Sequence, residues 1–482
     1  MLGIVNRLPN GLRNAAAYAA ALVAAKVISF LMMPVFTHFL TPADYGRLDV
    51  LQTLADLLSV VIGLGLVDTL FRFAGSATSD GDRCYIAGSL YGFALVTGFV
   101  FLILVQLAAP IVHSMLPADV GIVETRIILA SLSFSAIILV PLGWLRLTDR
   151  AGWYFLGTAG RAALQASLAA SFLMLGLGIM GVLVAGLIAC LSLAGVLSLI
   201  HVRETGTPFR TGAWGGYAKY GGPLVLSGIA AFVIGSCDRW ILAASFGPEN
   251  LAPYAVAAKF ALMTAMLLQP FEMWWFSKRF SVLAAAEGEL RSARYAETGL
   301  AIICLAILAV SAAGPLIINF ITPADYHGAI AYLPWMCGLV GLRAATNLMN
   351  FGLYTGATTL RIFYIEAASA GLAIVLFLLI IPEHGAWGAI GATGIVLTVR
   401  LLVTYHMAQR KRPLPYRINR ILSLCAATIG VLVTIALLDS LSIKFAIGII
   451  SGMGILVAAF VLDMIPTAWL RNLRDRFGAQ VA

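Results

Sequence analysis

The sequence is poor in charge. Only 11% of its 482 residues are Asp, Glu, Lys or Arg, and 61% are hydrophobic, whereas a soluble domain carries roughly 25% charged residues. A soluble globular protein is excluded. Long polar connectors are also lacking, so there is no room for a soluble catalytic domain between the apolar runs. The sequence has no phosphate-cradling Gly-rich loop ending in Lys-Ser/Thr, no His-Glu-x-x-His and no Gly-x-Ser-x-Gly, so neither ATP hydrolysis nor the common hydrolytic chemistries have residues to carry them. An enzyme is not expected. Cysteine is scarce and scattered: Cys84, Cys190, Cys237, Cys304, Cys337 and Cys425 form no Cys-x-x-Cys pair and mostly sit inside apolar runs. Neither a disulfide framework nor a zinc site is indicated, and no metal or cofactor is expected.

Apolar runs are abundant. A hydrocarbon core of about 30 Å needs roughly 20 apolar residues per helix, and runs of that length separated by charged or Pro/Gly breaks predict an all-α polytopic membrane protein. Fourteen transmembrane helices fit, at about 14–39, 48–71, 85–109, 123–145, 152–176, 179–200, 220–246, 252–276, 296–320, 330–355, 362–381, 386–408, 418–438 and 443–462. The first span follows "MLGIVNRLPNGLRN" and is too long, and too short of a small-residue cleavage site, for a cleaved signal peptide. With both termini placed inside, 22 of the 31 Lys and Arg residues fall on cytoplasmic segments and helix edges, and three, Arg47, Arg126 and Lys444, fall opposite. That asymmetry obeys the positive-inside rule and predicts a multi-pass membrane protein with both termini in the cytoplasm. The net charge of +9 is then a topology signal, and no nucleic-acid partner is expected.

An internal repeat is also present. "TPADY" occurs at Thr41 to Tyr45 and again at Thr322 to Tyr326, and related Pro-bearing connectors stand at Pro117 ("MLPADVG") and Pro248 ("SFGPENLAPY"). Pro42 to Pro117 and Pro248 to Pro323 are both 75 residues apart, while Pro42 to Pro248 and Pro117 to Pro323 are both 206 apart. Two homologous six-helix bundles follow, related by a pseudo-two-fold along the membrane normal, with a cleft expected between them. The expected domains are residues 1–203, a cytoplasmic linker 204–219, a second bundle 220–409, and two additional helices with a basic tail at 410–482. In these connectors Pro stops one helix, Asp, in the three that carry it, caps the next and, in the two TPADY copies, Tyr lies at the interface.

Six cations remain at membrane depth: Lys26, Arg161, Arg239, Lys259, Arg343 and Arg400. Each costs about 2.5 to 3.5 kcal/mol at a helix centre, so they face a cavity or a partner. The acids at that depth are Asp49, Asp56, Asp68, Asp238, Glu272 and Glu366. Depth matches Lys26 with Asp56, Asp238 with Lys259, and Glu366 with Arg400, either as ion pairs that pin helices or as functional groups. Asp68 and Arg72 stand at i and i+4, the spacing of a helix-surface ion pair, and Asp49, Gln52 and Asp56 share a helical face. Arg161 and Arg343 have no acid at matching depth, and Arg239 is left over if Asp238 takes Lys259. Arg72 and Lys278, equivalent under the 206-residue offset, extend this cationic set. Spare guanidinium groups in a dehydrated cavity suit an anionic substrate, because the planar fork holds phosphate oxygens with charge assistance. Trp144, Trp153, Trp274 and Trp275 lie near cytoplasmic helix ends, as an interfacial belt or a sugar-stacking surface.

The stretch "AAKVISFLMMPVFTHFLTPADYGRLDVLQTLADLLSVVIGLGLVDTLFRFA" resembles the opening hairpin of the polysaccharide-export (Wzx-type) oligosaccharide-lipid flippases, in the MATE-like multidrug/oligosaccharidyl-lipid/polysaccharide exporter superfamily. The matching positions are Lys26, Pro34, Thr37, Leu40, Pro42, Tyr45, Gly46, Gly63, Gly65, Leu66 and Arg72, with His38 where an Arg is common. The six-plus-six repeat extends the resemblance over roughly residues 10 to 410. It implies translocation of a polyprenyl-diphosphate-linked oligosaccharide from the cytoplasmic to the periplasmic leaflet by alternating access, with the cations on the diphosphate and any acidic sugars. Asp56, Asp68, Asp238 and Glu366 are then the candidates for coupling to H+ or Na+. A monomer is expected, with a polysaccharide polymerase and glycosyltransferases as possible partners. A peptidoglycan lipid-precursor flippase is the nearest alternative and a cation-coupled multidrug exporter the next. A membrane polymerase or ligase would need a sizeable periplasmic loop, which the chain lacks.

Overall fold

A computed structural model describes residues 10–63, 65–75, 77, 79–207, 212, 214–355 and 360–464. Arg7, Arg210 and the tail arginines Arg471, Arg474 and Arg476 lie outside the described residues. Fifteen α-helices account for most of what is described, and no strand occurs among the described residues. The chain divides into two units, Met1–Asn250 and Leu251–Ala482.

In the first unit α1 (Asn10–Phe39), α2 (Pro42–Gly63) and α3 (Leu66–Phe73) are followed by α4 (Asp80–Met115) and α5 (Ile122–Leu147). Then come α6 (Ala151–Phe155), a π turn (Leu156–Gly160), α7 (Arg161–Met174), α8 (Gly178–Thr205) and the start of α9 (Trp214–Ala284). Helix α5 is central: it packs on α2, α3, α4 and α8, while α1 packs along α6 and α7. A core of Leu66, Leu70, Leu90, Tyr91, Ile138, Val140, Trp144 and Leu145 fills the space around it. Lipid is as apolar as these side chains, so close van der Waals packing rather than removal from water holds such helix faces together. Helix α9 bends at Gly247, whose φ of 81° is non-helical.

In the second unit α10 (Gly288–Ile321), α11 (Ala329–Met349), α12 (Phe351–Tyr354) and α13 (Leu360–Lys411) precede α14 (Ile418–Leu437) and α15 (Leu441–Val461). The last pair packs on α10. A Cβ at Gly448 would lie 2.1 Å from that of Ala312, so α15 approaches α10 more closely than any larger residue permits. Polar contacts fix the same junction. Arg417 donates from its backbone N to Glu297 Oε1 (2.7 Å) and from Nε to Glu297 Oε2 (2.8 Å), and from Nη2 to the Asp463 carbonyl (2.7 Å). Burial opposes the charge on Arg417, but Glu297 and Asp463 outweigh it and raise its pKa. Thr298 adds a 2.6 Å bond from Oγ1 to the Met464 carbonyl.

Eleven stretches among the described residues are long and apolar enough to cross a membrane. This multi-pass architecture agrees with the sequence, although the count of such continuous stretches is eleven and not fourteen. Two of them, Gly228–Phe276 and Arg361–Lys411, run 49 and 51 residues and contain the non-helical glycines Gly247 and Gly385. A straight helix of that length would measure about 70 Å, more than twice a bilayer core. The expected fifth span, interrupted by the π turn, is not among the eleven.

The two TPADY copies fold differently. In the first, Pro42 is the first residue of α2, and Thr41 Oγ1 accepts from the Asp44 backbone N–H (3.2 Å) while donating to the Asp44 carboxylate (2.9 Å). The cap is therefore Thr41, with Asp44 as its reciprocal partner, and not the Asp expected from sequence. In the second, residues Ala324–Tyr326 form one 3-10 turn before α11 begins at Ala329. Tyr45 and Tyr326 are both buried. Their hydroxyphenyl groups fill the protein and do not lie at an interface as expected.

Candidate functional site

Helix α2 presents Leu48, Leu51, Gln52, Ala55, Asp56 and Ser59 on one face, at the i, i+3, i+4, i+7 spacing of a single helical stripe. Helix α1 turns Ala25, Ile28, Ser29, Met32 and Phe36 toward the same region. Opposite them stand Arg161 and Gln165, one turn apart on α7, and Ser135 of α5. The result is a pair of cavities of about 470 and 250 Å³ that share Gln52, Ser135, Arg161 and Gln165. Asp56 lines the smaller one with Arg161, Ser131 and Cys190.

The chain is locally suited to placing Arg161 there. The stretch "FLGTAGR" carries glycines at Gly157 and Gly160 and forms a π turn over Leu156–Gly160, so that α7 begins at Arg161 with one residue inserted into the helical repeat. Such insertions recur at functional sites because they redirect a side chain without ending the helix. Gly157 lies close to α5: a Cβ there would stand 3.2 Å from Leu142 Cδ2. Arg161 contacts the Cys190 thiol, which itself donates to the Ser131 carbonyl at 3.2 Å. Among the described residues no acid forms an ion pair with Arg161. It is the cation of this cavity that charge pairing leaves available.

Arg239 behaves differently. Its Nη1 lies 3.2 Å from both carboxylate oxygens of Asp49, whose side chain is 0% exposed against 15% for Arg239. Arg239 is therefore not a spare cation, and the reading that left it over is corrected. Its acid is 190 residues away in sequence, beyond the reach of a comparison of neighbouring spans. Trp240 supports the pair by donating Nε1 to the Val50 carbonyl at 3.3 Å. The expected polar stripe on α2 accordingly splits: Asp49 turns to α9, while Gln52 and Asp56 face the cavity.

The expected pair of Glu366 and Arg400 is present, joining the two parts of α13. Lys26 is exposed on α1, does not line the cavity, and interacts with a neighbour, as does Asp56. Asp68 and Arg72 are exposed on α3, and Asp68 helps to line a separate cavity of about 260 Å³ with Ser59 and Gly65. Asp238 is buried on α9, Lys259 is half-buried and Lys278 exposed further along it, and Arg343 is half-buried on α11. Of the four tryptophans, Trp144 and Trp275 are buried, and Trp144 donates Nε1 to Glu204 at 2.9 Å. Only Trp153 and Trp274 are exposed. Gln165, Ser131 and Ser135 were missed from sequence, because an uncharged polar residue in an apolar run costs too little to stand out. The four-residue step from Arg161 to Gln165 was the available signal.

The described residues thus form a helical, multi-pass chain with a guanidinium lining a cavity. Residues 12–276, more than half of the chain, match the model of the polysaccharide biosynthesis protein family, and the protein belongs to that family. No curated protein sequence matches the chain. Among solved structures, the lipid II flippase MurJ in an inward closed conformation superposes with a TM-score of 0.72 at 12% identity, covering 92% of this chain and 98% of that one. An inward-facing multidrug resistance MATE family transporter of the MOP superfamily gives 0.57 at 16%, covering 84% and 99%. A MOP superfamily transporter from Pyrococcus furiosus gives 0.55 at 16%, covering 83% and 95%. At these identities the likeness is one of fold, and the fold is that of MOP superfamily flippases and transporters.

Proposed function

We propose that the protein is a flippase that moves a polyprenyl-diphosphate-linked oligosaccharide, a polysaccharide repeat unit, from the cytoplasmic to the periplasmic leaflet of a bacterial inner membrane by alternating access. The observation that carries this reading is Arg161, a guanidinium with no acidic partner among the described residues, in a cavity lined by Gln52, Ser135 and Gln165. A permanent cation beside uncharged donors and acceptors suits an anionic diphosphate bearing sugar hydroxyls. Membership in the polysaccharide biosynthesis family supports the same substrate class. Lys26, Arg72, Lys259, Lys278 and Arg343 would add to the positive field that attracts the anionic head group, whereas Arg239, held by Asp49, drops out of that set. Asp56, in the wall it shares with Arg161, is the first candidate for ion coupling, ahead of Asp68, Asp238 and Glu366. Protonation of Asp56 would release Arg161 from its field and bias one state over the other. By the distribution of Lys and Arg, both termini would face the cytoplasm.

Transport of a fluorescent undecaprenyl-diphosphate-linked oligosaccharide in proteoliposomes, with and without a proton or sodium gradient, tests this. Gradient-stimulated translocation that Arg161→Ala abolishes at equal protein density is expected. A second reading, transport of a peptidoglycan lipid precursor, is favoured by the extent of the superposition on the MurJ flippase, 92% of this chain. Offering both lipids to the same vesicles decides between the two.

A further inference from the structure

The apolar outer face of the first unit carries a groove that leads to the same arginine. Trp153, Leu156, Gly160, Leu164 and Val196 border this groove of about 220 Å³ between the π-turn segment and α8. Trp153, Leu156, Leu164 and Val196 are exposed, as expected of side chains that face lipid. The groove and the 470 Å³ cavity share Gly157, Arg161 and Leu193, so the two spaces meet where the helix widens into its π turn. Nothing lies within 4 Å of where a Cβ at Gly160 would be: that glycine borders open space, and its missing side chain leaves the passage wide.

We infer that this groove is a lateral portal that seats the polyprenyl chain of the substrate, with the diphosphate on Arg161 and the first sugar in the cavity behind it. The inference rests on the proposed function and adds the place where the lipid stays in the bilayer while its head group is inside the protein. Polarity changes along the path in the order of such an amphiphile: an apolar groove, then one guanidinium, then Gln52, Ser135 and Gln165. The inner volume leaves room for a sugar beside the phosphate. Cavities of about 300–1,000 Å³ hold drug-sized molecules, and 470 Å³ exceeds what a bare phosphate ester requires.

Photo-crosslinking with the full-length protein in phosphatidylcholine nanodiscs tests the portal. p-Benzoylphenylalanine replaces Val196, the probe is tritiated geranylgeranyl diphosphate, and the same photo-residue at Leu379, exposed on α13, serves as the control. Labelling at 196 is expected to fall at least ten-fold in Arg161→Ala, to recover in part in Arg161→Lys, and to fall in Gly160→Leu, whose side chain fills the groove. Undecaprenyl diphosphate is expected to compete and phosphatidylglycerol to fail. Labelling at 196 that is insensitive to Arg161→Ala, as at 379, would overturn the portal, and so would equal competition by phosphatidylglycerol. Wild-type transport in vesicles that survives Gly160→Leu undiminished would also overturn the portal and leave the flippase reading standing. Absence of wild-type transport would remove the flippase reading, while the Arg161 dependence of the labelling still decides the groove.

Discussion

Asp49 and Arg239 show what a charge inside this protein requires. Removing two ions from water costs several kcal/mol each, and the pair persists because its geometry returns that cost. Breaking it is a different matter from never having built it. Asp49→Ala takes the buried acid away from Arg239 and is expected to destabilise the protein by about 3 to 5 kcal/mol, whereas the double replacement Asp49→Leu with Arg239→Met is expected to cost less than that single replacement. Thermal unfolding in detergent, followed by size-exclusion profile, measures both. Arg161 has no such partner among the described residues, so Arg161→Ala is expected to leave the melting profile unchanged. The two arginines look alike in the sequence, and only the fold assigns one to structure and the other to the cavity. Glu366 and Arg400 were legible because they stand 34 residues apart on adjoining spans, while Asp49 and Arg239 were not because their contact joins distant segments.

The first connector and the π turn set the geometry at the level of elements. Thr41→Ala removes an N-cap and is expected to cost about 1 kcal/mol. Gly46→Ala is expected to cost more, because its Cβ would stand 1.9 Å from the Pro248 carbonyl oxygen, a backbone atom that cannot swing aside. Chemical denaturation of the two variants in one detergent ranks them. The repeat that related Pro42 to Pro248 by offset thus also names two segments that touch. Nothing in the composition of "FLGTAGR" announced a π turn: its glycines permit several backbones, and packing on α5 selects one.

Over the whole molecule, the apolar runs and their Pro connectors were legible because lipid forces every span to be long, helical and internally hydrogen-bonded. Side-chain assignments were less so, since depth along a helix says nothing about the direction a side chain takes around it. Glu297 illustrates the difference. Near the edge of a span it drew no attention, yet its side chain is 1% exposed and it clamps Arg417, so the two added helices are bound to α10. Truncation after Lys411 would remove that partner and uncover the α10 face that α15 occupies. A chain so shortened is expected to aggregate on extraction, while Glu297→Gln in the full-length protein lowers the melting temperature without abolishing folding. Fluorescence-detected size exclusion distinguishes these outcomes.

The account rests on one cation serving transport rather than stability, and the most direct measurement is the translocation rate of an undecaprenyl-diphosphate-linked oligosaccharide in proteoliposomes carrying wild-type protein or Arg161→Ala, with melting profiles recorded on the same preparations. The account predicts equal melting profiles and a rate that falls to the protein-free background in the variant. A variant that transports at the wild-type rate would contradict it, as would one that loses transport only because it no longer folds.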